Sequence, residues 1–112
     1  MELRVEQLSS NLCRIVVVGR WDIQGAASIN LKLNEVTGSG RRIIMDMAGV
    51  DYLSSMGIRF LIMGAKTAGE HGGRMVLLSP TQLVSDVLTK AKIDQNIPVY
   101  HDFDEATQAV TA

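Results

Sequence analysis

Three short aliphatic runs, at residues 12–18, 42–48 and 74–79, are each followed by a segment whose apolar residues recur at helical spacing. This alternation limits the fold to strands joined by helical crossovers. The first run carries Ile15, Val16, Val17 and Val18 without a polar break, as a strand covered on both faces does, and Gly19 is expected to close it. The second (RIIMDMA) and third (RMVLLS) read the same way, and Asp46 falls near the carboxyl end of the second. Ahead of them, Leu3, Val5 and Leu8 alternate with Glu2, Arg4 and Glu6, and the Ser9-Ser10-Asn11 turn folds this half-exposed strand back as an antiparallel hairpin.

Between the strands, Ala26, Ile29, Leu33 and Val36 place a helix over 25–36, stopped by Gly38-Ser39-Gly40. Gly49-Val50-Asp51-Tyr52 leads into a second helix over 55–70, which ends at His71-Gly72-Gly73. Pro80 and Thr81 open a third helix over 82–91, residues 98–100 form a short strand, and a helix over 103–110 turns Phe103, Ala106, Thr107 and Val110 inward. The expected fold is α/β: a sandwich with a mostly parallel central sheet, an antiparallel N-terminal strand and about four helices. A chain of 112 residues fits one such domain, 1–112.

Eleven basic against 12 acidic residues leave a net charge of −1, which gives no electrostatic reason to expect nucleic acid or an anionic membrane as partner. The single cysteine, Cys13, excludes an internal disulfide and a multi-thiolate zinc site. No stretch approaches the ~20 apolar residues of a membrane span, and residues 1–10 do not read as a signal peptide, so a soluble, cytoplasmic protein is expected. His71 and His101 lack spaced metal-binding companions, and no phosphate-binding glycine loop or nucleophile motif is present. Neither enzymatic activity nor a cofactor is expected.

The most informative segment is the second helix. A wheel at about 100° per residue puts Ile58, Leu61, Ile62, Ala65, Ala68 and Gly69 on one side as the core face. The opposite side gathers Met56, Phe60 and Met63 among Arg59, Lys66, Thr67 and Glu70. Such a cluster is either an adaptable binding patch or is covered by another helix. Ser54 and Ser55 stand at the amino end. One of them is the N-cap, and a serine pair beside exposed apolar residues also suits a phosphorylation switch. A phosphate there gains about 0.3–1 kcal/mol from the helix dipole, so the fold survives it. Pressing its −1.5 to −2 charges against an apolar partner costs several kcal/mol, so binding does not.

Val18-Gly19-Arg20-Trp21-Asp22, the segment Ile44-Met45-Asp46-Met47-Ala48-Gly49-Val50-Asp51-Tyr52-Leu53-Ser54-Ser55-Met56-Gly57-Ile58-Arg59, and Gly73-Arg74-Met75-Val76-Leu77-Leu78-Ser79-Pro80 together resemble the bacterial anti-sigma-factor antagonists of the STAS domain family. The resemblance implies that Ser55 is phosphorylated by an ATP-dependent anti-sigma factor that is itself a serine kinase. It implies further that the unmodified protein sequesters that factor and that a serine phosphatase restores it. Relatives place Asp before the acceptor serine where this chain has Ser54, which leaves Ser54 as an alternative acceptor, and Ser or Ala after it where this chain has Met56. Asp22 and Asp46 match acidic positions near the modified serine; both also read as strand-end loop caps. The partner surface expected from the helix and the resemblance comprises Met56, Gly57, Arg59, Phe60 and Met63, with Asp22 and Asp46 beside them. Gly57 is expected to let the partner come close to bare backbone. Two other readings stay open: a STAS-like subunit of a transporter or stress-sensing assembly, and a receiver-like phosphoacceptor at Asp46.

Overall fold

The computed structural model describes all 112 residues. Its elements are β1 (Glu2–Ser9), β2 (Leu12–Trp21), α1 (Ile23–Thr37), β3 (Arg42–Leu53), α2 (Ser55–Glu70), β4 (Arg74–Leu78), α3 (Gln82–Lys90), a short 3-10 turn (Ile93–Gln95), β5 (Val99–Tyr100) and α4 (Phe103–Thr111). The five strands lie in the order β1-β2-β3-β4-β5, with β1 antiparallel to β2 and every other pair parallel. The α/β sandwich and its four helices are as expected.

Two faces of very unequal cover result. On one, Cys13, Ile15, Val17 and Trp21 of β2, Ile43, Met45, Met47, Val50 and Leu53 of β3, and Met75 and Leu77 of β4 meet α1, α2 and α3 in one continuous core. On the other, α4 alone packs Ala106 and Val110 onto Leu12, Ile44, Val76 and Leu78. Guanidinium groups from two strands hold its C-terminal end, where the last helical carbonyls lack partners. Arg42 Nη1 donates to the Val110 carbonyl at 2.6 Å, and Arg74 Nη1 donates to that of Ala109 at 2.9 Å. Because α4 lies over β3, β4 and β5, the β1–β2 side of this face is open. Val18 is therefore 41% exposed, against the expectation of a strand covered on both faces.

The boundaries correct the sequence reading in one consequential place. Gly19 does not end β2, and β3 does not end at Ala48: both strands run on, pairing Gly19 with Val50 and Trp21 with Leu53. Glycine at 19 suits this extension, since its φ of +116° is strained for any other residue. The extra length carries Trp21 and Leu53 to the point where α1 and α2 begin.

The same extension places Asp46 in the middle of β3 on the α4 face, away from α2. It is 6% exposed, and Arg14 of β2 donates to its Oδ2 from Nε at 3.1 Å and Nη2 at 2.6 Å, while the Ala48 amide donates to Oδ1 at 3.0 Å. Arg14 also lies 4.9 Å from the centre of the Phe103 ring, joining the pair to α4. Both carboxylate oxygens are thus engaged within the sheet, on the face of β3 opposite to α2. Asp46→Ala is expected to cost about 1–2 kcal/mol, less than a fully buried pair because the Arg14 side chain is 30% exposed and turns to solvent. The check is a lower midpoint in urea unfolding at unchanged slope.

Candidate functional site

The ends of β2 and β3 and the starts of α1 and α2 meet at one end of the sheet. Trp21, wholly buried, closes β2, and its carbonyl accepts from both the amide of Ser54 (2.9 Å) and its hydroxyl (2.7 Å). Ser54 Oγ in turn accepts from the Gly57 amide at 3.2 Å, so Ser54 is the N-cap of α2 with its donor and acceptor both engaged. Ser55, the next residue, is exposed, and its hydroxyl makes no hydrogen bond. The two serines therefore separate by environment: one fastens the helix, and the other is free.

Around Ser55 lies a shallow depression of about 270 Å³ lined by Ile23, Ser54, Ser55, Met56 and Arg59. Arg59 is exposed and has no carboxylate within salt-bridge distance. Asp22 stands at the same end as the N-cap of α1, where its Oδ1 accepts from the Gly25 amide at 2.8 Å. That bond, aided by Arg20 at 3.3 Å, holds the Asp22 carboxyl below its usual range. Its contribution to stability is present above the ordinary carboxylate range and is lost as pH falls through the lowered value. The Arg20 guanidinium also covers the Tyr52 ring at 3.9 Å.

The α2 wheel needs rotating. Its buried line is Gly57, Leu61, Gly64 and Ala68, so the core face is centred on small residues that an apolar count passes over. Ile62, expected inside, is 47% exposed on one flank; Met63, on the other flank, is 51% exposed. Met56 and Phe60 are half-buried against the main core, and of the expected outward trio only Met63 stands free. Gly57 is buried as well. A Cβ there would lie 2.6 Å from Leu53 Cδ1 and 2.9 Å from Trp21 Cγ, so its missing side chain serves packing inside the chain and does not admit a visitor.

One residue that sequence reasoning missed belongs to this surface. Ile23, read as preceding α1, is its first residue and 69% exposed, and Leu31 farther along the same helix is 84% exposed. The signal was present as Ile23, Ala27 and Leu31 at intervals of four, apart from the core positions Ala26, Ile29, Leu33 and Val36. Ile23 lines the depression together with Met56, so the starts of both helices contribute exposed apolar surface there.

The model of the STAS domain matches residues 4–106. The chain belongs to the STAS domain family. Solved structures agree with that membership at the level of fold. This STAS domain is similar to an anti-sigma factor antagonist from Mycobacterium paratuberculosis, at 19% identity and a TM-score of 0.88 over 99% of this chain and 94% of that one. It is similar also to the unphosphorylated anti-sigma factor antagonist SpoIIAA, at 19% identity and a TM-score of 0.80 over 98% and 96%. A third likeness is to the murine anion transporter Slc26a9, at 18% identity and a TM-score of 0.77, where 94% of this STAS domain corresponds to 18% of that chain. No curated protein matches it by sequence. No helix is long and apolar enough to cross a membrane.

Proposed function

We propose that this STAS protein is a cytoplasmic anti-sigma-factor antagonist: unmodified, it sequesters an anti-sigma factor that is an ATP-dependent serine kinase, and phosphorylation of Ser55 releases it. The observation that carries this reading is the contrast between the two serines at the tip of α2, where Ser54 is committed to capping and Ser55 is exposed beside apolar surface. In the modification, the γ-phosphoryl group of ATP passes to Ser55 Oγ, ADP departs and the kinase takes up the hydroxyl proton; a serine phosphatase reverses the outcome by hydrolysis. Ser54 is unsuited to the same role, since a phosphate there would forfeit its bond to the Trp21 carbonyl.

The partner-facing surface consists of Ile23 on α1 with Ser55, Met56, Arg59 and Met63 on α2, backed by Phe60 and rimmed by Asp22. Incubation with ATP and the cognate anti-sigma factor, followed by mass-spectrometric mapping, tests the reading: modification is expected at Ser55, and modification at Ser54 alone, or at neither serine, overturns it. Met63→Lys tests the surface. It is expected to weaken binding by about 10-fold or more, a charge being set against apolar surface, while stability stays within about 0.5 kcal/mol.

The second reading, a STAS subunit of a transporter or stress-sensing assembly, has in its favour the fold likeness to the Slc26a9 segment. It predicts an unmodified Ser55.

A further inference from the structure

Arg59 lines the surface beside Ser55 and makes no ion pair within the chain. It stands one helical turn after Ser55, and residues at this spacing face each other, with the favourable order placing the anion nearer the amino end. Both side chains line the same depression, the serine hydroxyl is unengaged, and the guanidinium has no carboxylate partner. The neighbouring charges are otherwise occupied or of the wrong sign. Arg20 is held between Asp22 and the Tyr52 ring, and Asp51 on β3 is an anion. Ile23 and Met56 supply apolar walls, beside which an ion pair is screened less than in open water.

We propose that Arg59 is the built-in counter-ion of a phosphate on Ser55, folding back over the first turn of α2 to pair with it and leaving the partner-facing surface as it does so. The proposal rests on Ser55 being the modified residue. Phosphorylation then changes the surface twice: it adds negative charge, and it withdraws the cation that an acidic group on the partner would meet. A guanidinium matches two phosphate oxygens at once, which a lysine at the same place does not.

The test uses the full chain with phosphoserine installed at position 55 during translation, so that no kinase is needed. The phosphate's second ionisation, ordinarily near 6, is followed by phosphorus NMR in native, Arg59→Gln, Arg59→Lys and Arg20→Gln forms. The native form is expected to ionise about half a unit below Arg59→Gln at low salt, with the gap narrowing at high salt, Arg59→Lys falling between, and Arg20→Gln matching native. Equal ionisation in native and Arg59→Gln proteins, or loss of the shift in Arg20→Gln alone, overturns the proposal. Calorimetry of the same phosphoprotein with the anti-sigma factor separates this from the broader reading. A normal shift with undiminished binding refutes the phosphoswitch and leaves the ion pair standing, whereas lost binding without the shift refutes the role of Arg59 alone.

Discussion

Ser55→Asp is expected to weaken binding of the anti-sigma factor by about 100-fold or more, equivalent to about 2.7 kcal/mol, while the melting temperature stays within a degree or two of native. The asymmetry follows from where Ser55 sits. Its side chain is exposed and contributes no hydrogen bond to the fold, so nothing inside the molecule is lost on substitution. A carboxylate in the first turn of a helix is itself favourable by about 0.3–1 kcal/mol. Against a partner, the same charge is pressed onto the apolar surface formed by Ile23, Met56 and Met63, where desolvation costs several kcal/mol, of which an exposed pair with Arg59 offsets about 1 kcal/mol at most. Isothermal calorimetry with the purified anti-sigma factor measures the first quantity and a thermal scan the second. An affinity equal to native would show that charge at this position does not control the complex.

Gly57→Val should produce the largest loss of stability of the substitutions considered, about 3 kcal/mol, lowering the melting temperature by on the order of 10 °C. Glycine in a helix interior ordinarily costs up to about 1 kcal/mol relative to alanine, so a larger residue gains something in propensity. Space decides the sign. A Cβ already falls 2.6 Å from Leu53 Cδ1 and 2.9 Å from the Trp21 ring, and valine adds two further carbons against side chains that are themselves buried. Relief requires α2 to lift from the ends of β2 and β3, which breaks the Ser54 bonds to the Trp21 carbonyl. Denaturant unfolding followed by tryptophan fluorescence suits the measurement, because the chain has a single Trp and it lies at this contact. Stability equal to native would mean that α2 is held without that close approach.

The parts of the fold that could be read from the chain are those where one physical preference dominates. Ile43, Ile44 and Met45, or Met75 to Leu78, leave no polar face, and only a strand buried in a sheet accommodates such short runs. The serine pair ahead of a helical period likewise announced a helix start. What escaped were features set by partners distant in sequence. Residues 49–53 and 19–21 contain glycine and charge, and they are strands because they pair with each other. Asp46 looked like a strand-end acid until Arg14, 32 residues earlier, was brought beside it. The face of α2 escapes a residue-by-residue apolar tally because its buried line includes Gly57 and Gly64, and at Gly57 close approach buries the helix as effectively as hydrophobicity. Ile23 was overlooked because its helix begins earlier than the apolar spacing alone suggested.

The sequential order of the five strands bears on how the molecule is made. As the chain leaves the ribosome, each strand from β2 onward meets a neighbour that has already been made. The parallel pairs nevertheless join residues about 30 positions apart, as Leu12 with Arg42, so the order of pairing is sequential although the pairing itself is not local. Because α4 follows all five strands in the chain, the cover it gives the second face is added to a sheet, and to a tip of α2, that have already been made.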